Sequence, residues 1–295
     1  MVAIKEKRVG DKTYYYLGHT FRAGGKVRYT ELYLGTKIPK GIERMKSRFL
    51  FEIYKAKWYS KFEAIRSRFG KVQKSSPPEA VEKHIESFMV KFTYNTQRIE
   101  GSTLNLRETA VLLLDGITPK NKPLRDVKEA EAHKTVFYEM LGFKKDLSLN
   151  VVLEWHYELF KGTRPNIAGK IRSQQVAIAG SGFMPPSPVE VQPLLREFFR
   201  WYDSNKAKLN PVELAALAHL KFVTIHPFTD GNGRISRLLM NFVLNKHGYP
   251  MLNISYSNRN SYYTALERSH LKRIDGPFLQ WFFRRYIENN KEYLK

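Results

Sequence analysis

Lys74-Ser75-Ser76-Pro77-Pro78 divides this chain into two stretches with different hydrophobic periods, and that break limits the folds open to it. Before it, residues 13–38 alternate as short strands do: Thr13-Tyr14-Tyr15-Tyr16-Leu17, then Phe21-Arg22, then Val27 to Leu34. Gly24-Gly25 suits a hairpin turn, Gly35 marks another break, and Pro39 ends the run. A sheet of two or three strands is therefore expected over residues 1–40, too small to be stable unless it docks on something. From Gly41 the period becomes helical, with Phe51, Tyr54, Trp58, Phe62, Ile65 and Phe69 spaced by three or four and Lys or Arg on the other faces. Residues 41–76 thus read as a basic helix and linker. After Pro78, amphipathic segments follow near 79–98, 105–115, 124–142, 149–161, 189–206, 210–225, 234–247, 260–272 and 276–290. One interruption, 171–188, reads as a hairpin among helices. The expected fold is mainly α.

Composition narrows the function classes. No apolar run approaches the ~18 residues that span a bilayer, and the start at Met1 lacks a signal-peptide core, so no membrane partner is expected. The chain has no cysteine, which excludes a thiolate nucleophile and a cysteine zinc site; a reducing cytoplasm is the expected compartment. Fifty Lys and Arg against 28 Asp and Glu give a net charge of +22. Residues 1–75 hold 19 of the basic and 6 of the acidic side chains, so a quarter of the length carries more than half of the surplus. Such a segment attracts polyanions, nucleic acid above all, through counterion release; its other reading is a solvated face.

The chemistry concentrates between His226 and Arg237. An apolar helix, Leu214 to Ile225, runs into His226-Pro227, and Gly231-Asn232-Gly233 turns the chain into a new helix expected to open near Arg234. A glycine-rich turn feeding a helix N-terminus aims several backbone N–H groups one way and makes an anion nest. Arg234 and Arg237, at i and i+3, add fork-shaped donors for phosphate oxygens. Asp230 is suited to a divalent cation bridging phosphates, and His226 supplies a base of accessible pKa. These are the parts of nucleotidyl or phosphoryl transfer.

The stretch His226-Pro227-Phe228-Thr229-Asp230-Gly231-Asn232-Gly233-Arg234-Ile235-Ser236-Arg237 resembles the Fic signature, His-Pro-Phe-x-Asp/Glu-Gly-Asn-Gly-Arg-x-x-Arg, at every defining position. The resemblance covers about residues 79–290. It implies a helical core with a β-hairpin flap and transfer of AMP from ATP, with Mg²⁺, to a Ser, Thr or Tyr hydroxyl of a target protein and of the chain itself. Carried over, His226 deprotonates the hydroxyl and Asp230 ligates Mg²⁺. Gly231, Asn232 and Gly233 cradle the α- and β-phosphates, Arg234 meets the β-phosphate, and Arg237 holds the γ-phosphate end. Phe228 is expected to face the core.

Upstream, Thr96-Gln97-Arg98-Ile99-Glu100-Gly101 matches the family's inhibitory pattern, Ser/Thr-x-x-x-Glu-Gly/Asn, near the end of a helix expected over about 79–101. Thr96 and Glu100, at i and i+4, share a helical face. The resemblance implies that Glu100 pairs with Arg237 and brakes transfer, in an oligomer left open. Removal of AMP, with Glu100 positioning water, draws on the same residues. The hairpin at 171–188 resembles the family's flap, with Phe183 and Met184 as target contacts. Asn260 and Tyr263 stand where relatives form the adenine pocket. His133, His156 and His219 read as structural. A nucleic-acid-binding regulator built on residues 1–75, with the Fic core as accessory, is the reading from another class.

Overall fold

The computed structural model describes residues 2–23 and 26–295, so the turn expected at Gly24-Gly25 lies outside the described residues. The chain divides into two compact units, Met1–Lys61 and Phe62–Lys295.

In the first unit, β1 (Ala3–Val9), β2 (Lys12–Ala23) and β3 (Lys26–Gly35) form an antiparallel sheet in the order β1-β2-β3. The register pairs Lys5 with Tyr16 and Leu17 with Leu32, with a bulge at Tyr15/Tyr16. The two segments expected at 13–17 and 21–22 are one continuous strand. β1 was outside the sequence expectation because it is an exposed edge strand, where charged side chains hide the alternation. The expected docking partner is the start of the long helix α1 (Ile42–Ser75). Leu17 is fully buried, and the ring of Tyr54 meets both His19, with a 3.2 Å hydrogen bond, and Phe21. Pairing along one face in this way leaves the other sheet face to solvent.

The second unit is helical: α2 (Pro78–Ile99), α3 (Leu106–Asp115), α4 (Leu124–Gly142), α5 (Leu149–Phe160), α6 (Pro188–Asn205), α7 (Pro211–Ile225), α8 (Asn232–Lys246), α9 (Arg259–Lys272) and α10 (Gly276–Asn289). Pro77 and Pro78 separate α1 from α2, and Pro78 takes the first helical position of α2, where its missing N–H costs no helical hydrogen bond. Asn105 and Glu108 cap α3 reciprocally, each side chain taking the other's backbone N–H at 2.8 Å. α7 is the central helix: twelve of its fifteen residues are buried, so it can show no polar face. α8 packs beside it, also largely buried, and the six residues between them form the turn on which the site is built. No described helix is long and apolar enough to cross a membrane.

The hairpin expected at 171–188 is corrected. Among the described residues the only sheet is β1-β2-β3, and 171–187 is an extended loop that runs into α6 at Pro188. Pro185, Pro186 and Pro188 lack the N–H groups that a ladder requires. Side chains hold the two legs instead. Buried Arg172 donates to the carbonyls of His226 (2.8 Å), Gln174 (3.0 Å) and Pro186 (2.5 Å), and Gln175 donates to Pro185 O at 3.0 Å.

Candidate active site

His226 ends α7 in the left-handed region (φ 51°, ψ 57°), with its N–H still donating to Phe222 O. That bend turns the ring back so that Nδ1 lies 3.1 Å from Val223 O. A carbonyl only accepts, so Nδ1 carries the proton and Nε2 keeps its lone pair. Burial holds the imidazole below its ordinary pKa, neutral at pH 7.

The loop behind it is fastened at three points. The Asn232 amide spans it, accepting from Phe228 N (2.9 Å) and donating to Phe228 O (2.8 Å). Phe228, fully buried as expected, stacks on His156 at 3.8 Å. His156 accepts the Gly169 N–H at Nδ1 (2.9 Å), so its Nε2–H donates to Asp230 O (3.0 Å). Gly231 has φ 84°, and a Cβ there would lie 2.5 Å from the Phe160 ring. α8 opens at Asn232, two residues earlier than expected, because the αL glycine rather than the arginine ends the turn. The amides of 232 and 233 therefore belong to the free first turn of the helix.

The arginines divide the work. Arg234 is buried, stacked 4.5 Å from Phe160, and gives one guanidinium nitrogen to Glu129 and another to Asp230 at 3.1 Å. It does not line the cleft. Arg237 does, and donates to Glu100 Oε1 (2.6 Å), Thr96 Oγ1 (3.3 Å) and Thr96 O (3.3 Å). Any Cβ at position 233 would collide with that Glu100 oxygen. A carboxylate thus lies on the anion nest, and its side chain is 26% exposed, within reach of a competing anion.

The cleft, about 400 Å³, gathers His226, Asp230, the Gly231–Gly233 backbone, Arg237, Glu100 and Tyr263. Its far wall is the loop tip, Ala177 to Ser181, fixed to α9 where Glu267 accepts the Gly182 N–H at 2.9 Å. Asn260 is exposed and off the cleft, its carbonyl accepting from Thr264. Phe183 and Met184 line a neighbouring groove, with the Phe183 ring 4.3 Å from His270.

A sequence model described as the Fic/DOC family matches residues 146–244. Protein adenylyltransferase fic-1 of Caenorhabditis elegans is 32% identical over 234 residues, 77% of this chain and 44% of that protein. Protein adenylyltransferase Fic of Drosophila yakuba is 36% identical over 198 residues, 64% of this chain and 38% of that protein. The crystal structure of a Fic domain containing signaling protein from Bacteroides thetaiotaomicron superposes with a TM-score of 0.72 at 30% identity, over 80% of this chain and 96% of that one. The chain belongs to the Fic/DOC family. It spans less than half the length of the curated relatives it matches.

Around the Fic signature, the fold adds residues that no motif announced. Glu129 on α4 and Arg164 after α5 lie 105 and 70 positions from Arg234, and Arg164 bonds the second oxygen of Asp230. Burial pushes the Asp230 carboxyl up, but the guanidinium groups of Arg234 and Arg164 outweigh it and hold the group ionised. Among the described residues no cluster of three His, Asp or Glu could bind a metal alone. A single ionised carboxylate beside an anion nest still fits Mg²⁺, which commonly takes one or two carboxylates plus substrate phosphates.

The buried histidines give this fold an acid limit. Burial lowers His133, bonded to Thr93 at 2.8 Å, to about 3, and lowers His156 to about 4. Unfolded, both titrate near 6.5, so below that pH the unfolded chain binds more protons and stability falls as pH falls. At pH 5 each histidine contributes a loss of about 2 kcal/mol relative to neutral pH. Urea midpoints should drop between pH 7 and pH 5, above the carboxylate range; equal midpoints would contradict these neutral, buried assignments.

Proposed function

We propose that this chain is a protein adenylyltransferase: it moves AMP from ATP to a Ser, Thr or Tyr hydroxyl and is restrained by its own Glu100. The observation that carries this reading is the neutral His226, whose Nδ1–H is bonded to Val223 O, in one cleft with the α8 amide nest and Arg237. The curated relatives carrying the name protein adenylyltransferase support it.

In this mechanism the triphosphate lies over the free first turn of α8, which stabilises anionic oxygens by its amides and its dipole. The target hydroxyl gives its proton to His226 Nε2 as its oxygen bonds to the α-phosphorus. The bond from that phosphorus to the bridging oxygen breaks, and pyrophosphate leaves. Arg237 meets charge on the leaving side; Arg234, held by Glu129, keeps Asp230 in place. Asp230 would hold Mg²⁺, which supplies charge neutralisation to the phosphates. The loop leg at 173–178, free of any ladder within the described chain, offers backbone groups along which an extended target segment can lie.

Glu100 acts by occupancy. While it bonds Arg237 and covers Gly233, the far end of the triphosphate has no seat, and the α-phosphorus is displaced from the line of attack. A misplacement of about 1 Å can cost ~10²-fold in rate. The test is chemical. Incubation of the chain with ATP and Mg²⁺ should release pyrophosphate in step with an adenylate adduct on Ser, Thr or Tyr, read by tandem mass spectrometry. ADP released with a bare phosphate adduct would overturn the reading.

A further inference from the structure

We propose that the uncovered face of the β1-β2-β3 sheet binds duplex DNA in its major groove, a role separate from the transferase cleft. Residues 1–61 hold 15 Lys and Arg against 5 Asp and Glu. Alternation sends Leu17, His19 and Phe21 to the face that packs on α1. Their neighbours, Tyr16 and Arg22 of β2 together with Lys5 and Lys7 of β1, stand on the opposite face. Lys12 joins them at the start of β2, and Tyr29 and Tyr33 of β3 complete the face, 45% and 51% exposed.

The organisation of this face goes beyond an excess of charge. Lys5 lies over the Tyr29 ring at 4.3 Å and Lys7 over the Tyr16 ring at 4.5 Å, so the rings hold the ammonium groups above the sheet. Tyr29 can lie flat because it crosses Gly18, where any Cβ would meet its hydroxyl. The one acid on the face, Glu31, is bonded by Lys7 (2.6 Å) and Tyr29 (2.8 Å), which removes its charge from the surface.

These features select the partner. Three strands at about 4.8 Å spacing span about 10 Å, and the B-form major groove is about 12 Å wide. The deep, narrow major groove of duplex RNA does not admit such a sheet. Single strands are held by stacking on successive bare aromatic faces, but lysines cover the rings of Tyr16 and Tyr29 and leave Tyr33 alone open. A membrane-binding surface buries a continuous apolar face, and here the exposed Val9 and Val27 are paired with Lys12 and Arg22 and separated by hydroxyls and ammonium groups.

The test uses the full chain and fluorescence anisotropy with a labelled mixed-sequence duplex at several salt concentrations, without ATP. The triple variant Lys5→Gln, Lys12→Gln and Arg22→Gln changes three exposed side chains and leaves the buried face intact. Three lost phosphate contacts should weaken binding by about 100-fold at 0.15 M salt and reduce the slope of log K against log salt by about 3. The matched variant Lys120→Gln, Lys144→Gln and Lys272→Gln, exposed in the helical unit, should bind as the wild type does. Equal losses in the two variants would overturn the proposal, as would salt-independent binding. So would equal or tighter binding of single-stranded DNA, duplex RNA or phosphatidylserine vesicles.

Discussion

Replacing His226 with asparagine is expected to reduce AMP incorporation by at least 10²-fold, toward the 10⁴-fold limit of general-base catalysis. Asparagine suits this test because position 226 has φ 51°, and asparagine tolerates the left-handed region better than alanine does. The stability of the fold should therefore stay near that of the wild type, and the loss can be assigned to chemistry. Two other imidazoles lie nearby, and of these only His270 also lines the cleft. His219 is buried and bonded to Tyr262 at 2.9 Å, and His270, which burial lowers to about 4, lies under Phe183. Retention of wild-type incorporation by His226→Asn would remove this residue from the reaction.

Glu100→Gly should act in the opposite direction, raising self-modification by about 10- to 100-fold, the size of effect that freeing a misaligned substrate can give. The geometry makes the change selective. Arg237 keeps its bonds to Thr96 Oγ1 and the Thr96 carbonyl and its 3.4 Å contact with Tyr262, so it stays placed while its charge is released. Glu100 lies at the end of α2, followed by Gly101 at φ 96°, so a second glycine there leaves the helix body undisturbed. Glu100→Gln keeps the shape and loses the charge, and should fall between the two. Initial rates of label incorporation at saturating ATP check all three. Equal rates in Glu100→Gly and the wild type would dispose of the brake.

Residues near one another in sequence were legible, and residues joined only by the fold were not. The α7–turn–α8 unit could be read because its chemistry lies within twelve consecutive residues, His226 to Arg237. The pairing of Glu100 with Arg237 crosses 137 positions and was reached through the resemblance of two separate motifs. Glu129, Arg164 and Arg172 carry no such mark. Each is an ordinary charged residue in its own segment, and each gains a role only when helix packing brings it to Arg234, Asp230 or the His226 carbonyl. The loop at 171–188 misled for a local reason. Val176-Ala177-Ile178-Ala179 has strand composition, but the prolines that follow and the Arg172 side chain take the place of the expected ladder.

In the proposed mechanism the cleft presents His226 to the first phosphorus of the triphosphate, with Glu100 in the seat of its far end. The most direct measurement compares Glu100→Gly incubated with Mg²⁺ and ATP labelled either at the α- or at the γ-phosphate. Incorporation of the α label alone, absent when His226→Asn is added, is the predicted result. Incorporation of the γ label would mean that the nucleotide lies the other way round, and would contradict the account.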